Sequence, residues 1–271
     1  MEYRLIALDM DGTVLNSKKV ISPRTEAAIH EALAQGKEVI FATGRCPAEM
    51  REYFAAFPEM NYAMCISGAL ILNIRTGEPL TDIPIPRDLV EKILKTAKEL
   101  GVMTSVSAGP DVFVERRHRG NMAYFHCECF AALYEDCATW VEDACEVLKS
   151  RGDQVYKINY YCPDQATWQR AANILSGLPL SYASGIPMNF EISPQGVNKG
   201  VGLEILSRVT GILVSQMIAV GDEGNDLEMV RTAGLGVAMG NATDAVIEAA
   251  DAMTADCDHD GVAEVIQHCL L

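Results

Sequence analysis

The sequence predicts an α/β protein: a doubly wound, Rossmann-like parallel sheet core with an inserted α/β cap domain. Apolar, strand-like runs alternate with helix-like stretches at both ends of the chain, the pattern of parallel strands joined by crossover helices. Several of these runs end abruptly in polar residues and glycine, as strands do where they enter loops. The middle of the chain has a different texture and is bounded by two helix-unfriendly breaks, Ile83-Pro84-Ile85-Pro86 and Ser184-Gly185-Ile186-Pro187. These breaks divide the chain into a first core segment 1–83, a cap 84–186 and a second core segment 187–271. Two linkers side by side make a hinge, so the cap is expected to serve as a lid.

Leu5–Leu8 reads as the first strand. Pro23–Gln35 reads as a helix, because Ser22 can cap it, proline occupies its first position and Gly36 ends it. Glu38–Ala42 is a second strand, Met64–Ile66 a third, and Ala69–Asn73 begins a hairpin. Within the cap the pattern predicts a helix over Asp88–Leu100 and strands over Met103–Val106 and Val112–Glu115. A helix-rich stretch follows, then a strand (Val155–Tyr161), a helix (Gln165–Leu175) and a strand near Leu180–Ala183. The core resumes with a helix over Lys199–Val209 and a strand over Met217–Val220. Helix Asn225–Ala233, strand Gly236–Met239 and helices Asp244–Ala249 and Gly261–Leu270 close the chain.

The chain has 271 residues, 49% of them hydrophobic and 22% charged, which suits a globular enzyme with a substantial core. A net charge of −15 disfavours nucleic acid and anionic membrane as partners. The chain runs straight from Met1 into the first strand and holds no bilayer-length apolar run, so a cytoplasmic protein is expected. Its expected state is a monomer or small homo-oligomer. The nine cysteines, with no CxxC pair, read as reduced thiols; His126, Cys127 and Cys129 come nearest to a metal-ligand cluster.

Chemistry concentrates where strands end. Asp9-Met10-Asp11-Gly12-Thr13 closes the first strand with two acids at i and i+2, a spacing that in a strand faces both side chains the same way. Crowded carboxylates repel unless a cation or shared proton offsets them, so the pair suits a hard divalent metal plus a nucleophilic carboxylate. Thr43 ends the second strand beside Gly44 and Arg45, where a hydroxyl and backbone N–H groups can hold a phosphoryl oxygen. Lys199 opens a helix, an unfavourable place for a cation unless an anion is held there too. Asp222, in Gly221-Asp222-Glu223-Gly224-Asn225-Asp226, follows another buried-type strand and can complete an oxygen ligand set for Mg2+; Asp226 can also cap the next helix. In an open parallel sheet all four motifs converge on one crevice.

These motifs, with Gly236-Val-Ala-Met-Gly-Asn241-Ala242 and Asp260-Gly-Val-Ala263, resemble the haloacid-dehalogenase-like superfamily, specifically its Cof-type phosphatases with a large α/β cap. The resemblance spans essentially the whole chain. It implies a Mg2+-dependent phosphomonoesterase in which Asp9 is the nucleophile and forms an aspartyl-phosphate. Asp11 would protonate the leaving group, later activate water, and offer its backbone carbonyl to the metal. Asp9, Asp11 and Asp222 would hold Mg2+ with support from Asp226. Thr43 and Lys199 would hold the phosphoryl oxygens, and Gly44, Arg45, Ser67, Gly68 and Asn225 would contact the substrate. One departure is Ile66-Ser67-Gly68-Ala69, where many relatives read Ser-Asn-Gly-Ala; a hydroxyl replaces an amide and reaches less far.

The expected substrate is a small phosphorylated metabolite, foremost a sugar phosphate, with pyridoxal phosphate or a flavin precursor as lesser options. Two alternatives stand beside hydrolysis: a phosphomutase on a sugar phosphate, and a sugar-phosphate-binding regulator without turnover. The basic run Arg116-Arg117-His118-Arg119 in the cap reads either as a solvated turn or as a steering patch for anions.

Overall fold

The structure, a computed structural model, describes residues 2–184 and 186–271; Met1 and Gly185, the latter within the predicted Ser184–Pro187 break, lie outside the described residues. The chain divides into two compact units, one made of 1–45, 52–81 and 198–271, the other of 46–51 and 82–197. It begins with β1 (Leu5–Leu8), β2 (Glu38–Ala42), β3 (Tyr62–Cys65), β4 (Leu70–Asn73) and β5 (Pro79–Asp82). It then forms β6 (Met103–Ala108), β7 (Asp111–Glu115), β8 (Ala138–Val141), β9 (Val155–Tyr161), β10 (Leu180–Ala183) and β11 (Asn189–Pro194). It returns through β12 (Met217–Gly221), β13 (Leu235–Ala238) and β14 (Ala252–Met253). Among the described residues these strands make two sheets, ordered β14-β13-β12-β1-β2-β3-β4-β5 and β10-β11-β9-β6-β7-β8.

In the first unit the strands from β14 to β3 run parallel, and β4 turns back antiparallel to β3. β1 and β12 are buried at every position, as strands covered on both faces require, which is why they read as unbroken apolar runs. Leu5, Ala7, Ile40, Ala42, Met217 and Ala219 pack with Leu203 and Leu206 of the helix Lys199–Thr210. The helix Pro23–Ala34 forms as expected, with Ser22 Oγ accepting the Thr25 N–H at 3.1 Å and proline in the first turn. β1 lies between β12 and β2, where the winding direction reverses and loops part to leave a crevice. The register pairs Leu8 with both Phe41 and Val220, so Asp9, Thr43 and Asp222 all follow strand ends at one edge.

The second unit has its own sheet, antiparallel except for the β7–β8 pair. Val106, Ile158, Tyr160, Phe190 and Ile192 form its core with Val90, Ile93 and Ala97 of the helix Arg87–Leu100 and Ala171 of Gln165–Leu175. Here the sequence reading is corrected: Asn189–Pro194, assigned to the core segment 187–271, is β11 and pairs with β9 and β10. β10 and β11 pair antiparallel, so the return to the first unit comes after β11, at Asn198, and not at the Ser184–Pro187 break. Strands β5, β8 and β14 had no distinct signal because each is a short edge strand with no fully buried residue, whose place comes from its neighbour.

Each arginine of the basic run has an acid: Arg116 meets Glu142 at 3.0 Å, Arg117 meets Glu115 at 2.6 Å and Arg119 meets Glu135 at 2.6 Å. Arg119 also lies over the Trp140 ring at 5.2 Å. The run is an internally neutralised turn, which favours the solvated-turn reading over steering. His126 Nε2 is 3.1 Å from the Pro163 carbonyl, and Cys127 is buried against Met103. Among the described residues neither joins a metal-ligand group. No helix of the described residues is long and apolar enough to cross a membrane.

Ser22 Oγ both accepts from Thr25 and donates to Asp260. Ser22→Ala is therefore expected to lower stability by about 1–2 kcal/mol, measured by urea unfolding.

Candidate active site

Asp9 stands one residue beyond β1, its N–H donating to the Val220 carbonyl of β12 at 3.0 Å. Its carboxylate meets Lys199 Nζ at 2.5 Å, and the same ammonium meets Asp226 at 2.6 Å. Lys199 is fully buried at the start of its helix, where Asn198 caps the Val201 N–H at 2.9 Å. Burial works against its charge, but Asp9 and Asp226 more than offset this and raise its pKa above the ordinary value. The anion expected beside a lysine at a helix start is thus supplied by the protein itself.

Asp226 uses both oxygens: one takes Lys199, the other takes the N–H groups of Asp222 at 2.9 Å and Glu223 at 3.0 Å. It folds the loop back on itself: as the third residue of the 3-10 turn Gly224–Asp226 its side chain accepts the Glu223 N–H in a capping box, the partial capping role the sequence suggested, while it caps no N–H of the helix Leu227–Thr232. Asp222 accepts from Thr13 Oγ1 at 2.8 Å and from Asn241 Nδ2 at 3.1 Å. Oxygens of Asp9, Asp222 and Asp226 lie within 4.8 Å of one another, and all three residues are buried. Burial first, then neighbouring carboxylates, push the Asp222 carboxyl up to about 6 and also raise Asp9. Three carboxylates face one lysine, an excess of negative charge that a divalent cation would balance. The donors are all hard oxygens, so the set fits such an ion.

The carboxylate of Asp11 does not join this cluster among the described residues. β1 ends at Leu8, so Asp9–Asp11 lies in the turn and the strand rule for i and i+2 does not apply. Arg45 grips Asp11 with two hydrogen bonds of 2.8 Å, and Lys19 adds one of 2.9 Å. Burial opposes ionisation, yet Arg45 and then Lys19 pull the Asp11 carboxyl down to about 2.

Thr43 is buried, with Oγ1 accepting the Arg45 N–H at 3.1 Å. A Cβ on Gly44 would stand 3.5 Å from Ser67 Oγ and 3.9 Å from Asn225 Nδ2, so these three predicted contacts do cluster. Ile66 and Ser67 both have φ near +50°, a costly choice for a β-branched residue (roughly 1–3 kcal/mol). Hydrogen bonds from Ile66 N–H to Arg45 O and from Ser67 N–H to Thr43 O hold that turn. Gly68, predicted to touch substrate, has a packing role: at φ +98° any Cβ would come 2.6 Å from the Asn198 carbonyl. Sequence reasoning missed the contacts of Thr13 and Lys19. Asn241 lay within a recognised motif, but that motif carried no assigned task.

A family model for haloacid dehalogenase-like hydrolases matches residues 6–266. The 5-amino-6-(5-phospho-D-ribitylamino)uracil phosphatase YcsE of Bacillus subtilis is 28% identical across 100% of this chain and 97% of its own. An HMP-PP phosphatase of Serratia proteamaculans is 26% identical across 99% of this chain and 96% of its own. A solved haloacid dehalogenase-like hydrolase from Bacteroides thetaiotaomicron superposes with a TM-score of 0.86 at 29% identity, covering 98% of this chain and 99% of that one. The chain belongs to the haloacid dehalogenase-like hydrolases and, with the relatives just named, to their phosphatases.

Lys199→Met would leave Asp9 and Asp226 buried without their cation. An expected loss of about 3–5 kcal/mol in metal-free urea unfolding at pH 8 follows. The loss should shrink at pH 5, where the crowded carboxyls take up protons. A carboxyl whose folded pKa is raised keeps its proton where the unfolded chain has lost it, so stability falls as pH rises across that interval. For Asp222 the interval runs from the ordinary 3.8 to about 6. Metal-free wild type is expected to lose stability there, measured by thermal unfolding at pH 4.5 and 7, once other titrations are matched in an Asp222→Asn control.

Proposed function

We propose that this chain is a Mg2+-dependent phosphomonoesterase that hydrolyses a small phosphorylated metabolite through an aspartyl-phosphate on Asp9. The observation that carries this reading is the buried Asp9 carboxylate, held by Lys199 and accompanied by the hard-oxygen set of Asp222 and Asp226. Asp9 and Asp222 would hold Mg2+, with the Asp11 carbonyl as a further ligand and Asp226 behind them; the ion would neutralise charge on the transferring phosphoryl group.

A carboxylate oxygen of Asp9 attacks phosphorus while the bond to the leaving oxygen breaks, and protonated Asp11 supplies that oxygen with a proton. Lys199, the Thr43 hydroxyl and the Gly44 backbone hold the non-bridging oxygens. Water then attacks phosphorus, gives its proton to Asp11, and the bond to Asp9 breaks to release phosphate. Paired with Arg45 and Lys19, Asp11 is ionised and suited to the second step. To act as the acid in the first, it must part from those cations.

Substrate class rests on the relatives. One is named for a phosphorylated ribityl compound, a chemistry close to a sugar phosphate. A sugar or polyol phosphate is accordingly the first candidate here.

The direct test is phosphate release from a panel of phosphorylated metabolites, with Mg2+ or EDTA. Wild type is expected to release phosphate only with the metal, and Asp9→Asn to lose at least about 1,000-fold in rate. Isomerised product without phosphate release would overturn hydrolysis in favour of mutase chemistry. Binding with no turnover, undiminished in Asp9→Asn, would favour a regulator. Mg2+ should also raise the melting temperature of wild type, and by more at pH 8 than at pH 5.5, because protons compete for the same carboxylates.

A further inference from the structure

We propose that Asn241 is a positioning residue that locks Asp222 against the Asp9–Thr13 turn and so sets its affinity for the divalent cation; this rests on the reading of Asp222 as a metal ligand. Both the amide nitrogen and the amide oxygen of Asn241 find partners in one orientation. Nδ2 donates to the Gly12 carbonyl at 2.9 Å and to Asp222 Oδ2 at 3.1 Å, while Oδ1 accepts the Cys257 N–H at 3.0 Å. A flipped amide would set oxygen against two oxygens and N–H against N–H, so the orientation follows from the partners.

The turn that carries Asn241 also holds Asp222 through the backbone. Met239 N–H donates to Gly221 O at 3.1 Å and Thr243 N–H to Asp222 O at 2.9 Å. From the other side, Asp222 presses on Gly12 so closely that a Cβ there would lie 2.3 Å from Oδ2. Thr13 takes the remaining oxygen, Oδ1. Asn241 therefore ties together three separate segments: the turn after β1, the loop after β12 and, through Cys257, the loop before the last helix. That last loop in turn holds Ser17 through Asp258 at 2.8 Å.

The chemistry of the donors matters as much as their number. Asp11 is held by two cations, Arg45 and Lys19, which satisfy its charge. Asp222 is held, among the described residues, by a neutral hydroxyl and a neutral amide. Neutral donors fix a carboxylate's rotamer and use one lone pair on each oxygen while leaving its negative charge for a metal. Without Asn241, repulsion from Asp9 and Asp226 favours rotation of Asp222 out of the cluster.

The test is Mg2+ alone, titrated calorimetrically and by thermal shift into wild type and Asn241→Ala, followed by phosphate release against Mg2+ concentration. The expected result is a Mg2+ Kd raised about 10-fold or more in the variant, the loss typical of removing a partner that orients a metal ligand. Half-maximal activity should move to higher Mg2+ by the same factor, with the rate recovering towards wild type at saturation. An unchanged Kd beside a lowered metal-free Tm would mean that Asn241 only supports the fold, and would overturn the proposal. Wild type that takes up no Mg2+ would instead defeat the metal-dependent reading itself, and this inference with it. Should Asn241→Ala fail to fold, Asn241→Gln keeps the amide but displaces it by one methylene. It should weaken Mg2+ in the same direction, and an unchanged Kd there would be equally decisive.

Discussion

A buried lysine between two carboxylates is the constraint on which the rest of this site depends. Removing Lys199, Asp9 and Asp226 from water is expensive, and the arrangement persists because each charge finds its partner at hydrogen-bond distance. The surrounding backbone is shaped to deliver that geometry. The Lys199 helix sits so close to its neighbours that a Cβ on Gly200 would come 2.7 Å from the Glu228 carbonyl, and one on Gly202 2.6 Å from the Met64 side chain. Asp226 then turns its second oxygen onto the N–H groups of Asp222 and Glu223, linking the lysine to the loop after β12. One ammonium thus orders both the turn that carries Asp9 and the acidic loop, yet it leaves negative charge over. That surplus is the charge a divalent cation would balance.

The carboxylates divide by the company they keep. Asp11 lies among cations, and its charge is satisfied within the protein. Asp222 lies among neutral donors, and its charge is available. Asp9 lies between these cases, with a lysine on one side and acids on the other. Four aspartates within a few residues of strand ends therefore differ in chemistry because arginine, lysine, hydroxyl and amide groups from distant segments select a state for each. This is the same principle by which environments push like groups toward different roles in acid–base catalysis.

The second unit shows a different economy of charge. Its densest basic run is neutralised residue by residue by nearby acids, and its sheet buries one apolar face under the helices Arg87–Leu100 and Gln165–Leu175. The strained Ile66–Ser67 turn of the first unit contrasts with that regularity. Left-handed conformations at two adjacent non-glycine residues persist there because the Thr43 and Arg45 carbonyls capture both N–H groups. The turn brings Ser67 beside Gly44, where a substrate phosphate is expected.

Local chemistry alone determined much of this protein. The apolar runs of β1, β2 and β12, the Ser22 cap with proline behind it, and Asn198 before Lys199 are short-range signals that act within a turn or a strand. They placed the core elements and brought Asp9, Thr43, Lys199 and Asp222 to one edge of a parallel sheet. What the tertiary structure decided were the partnerships between segments far apart in the chain. β11 belongs with β9 and β10 because of pairing, which no breaker at Ser184–Pro187 could reveal. Asp11 turned away from the acidic cluster because β1 stops at Leu8 and Arg45 lies within reach. Thr13 and Asp222, separated by 209 positions, form one hydrogen bond, and Asn241 completes it from a third segment. Residue type and spacing state which groups can ionise or donate; only packing states which of them meet, and a carboxylate's chemistry is set by what it meets.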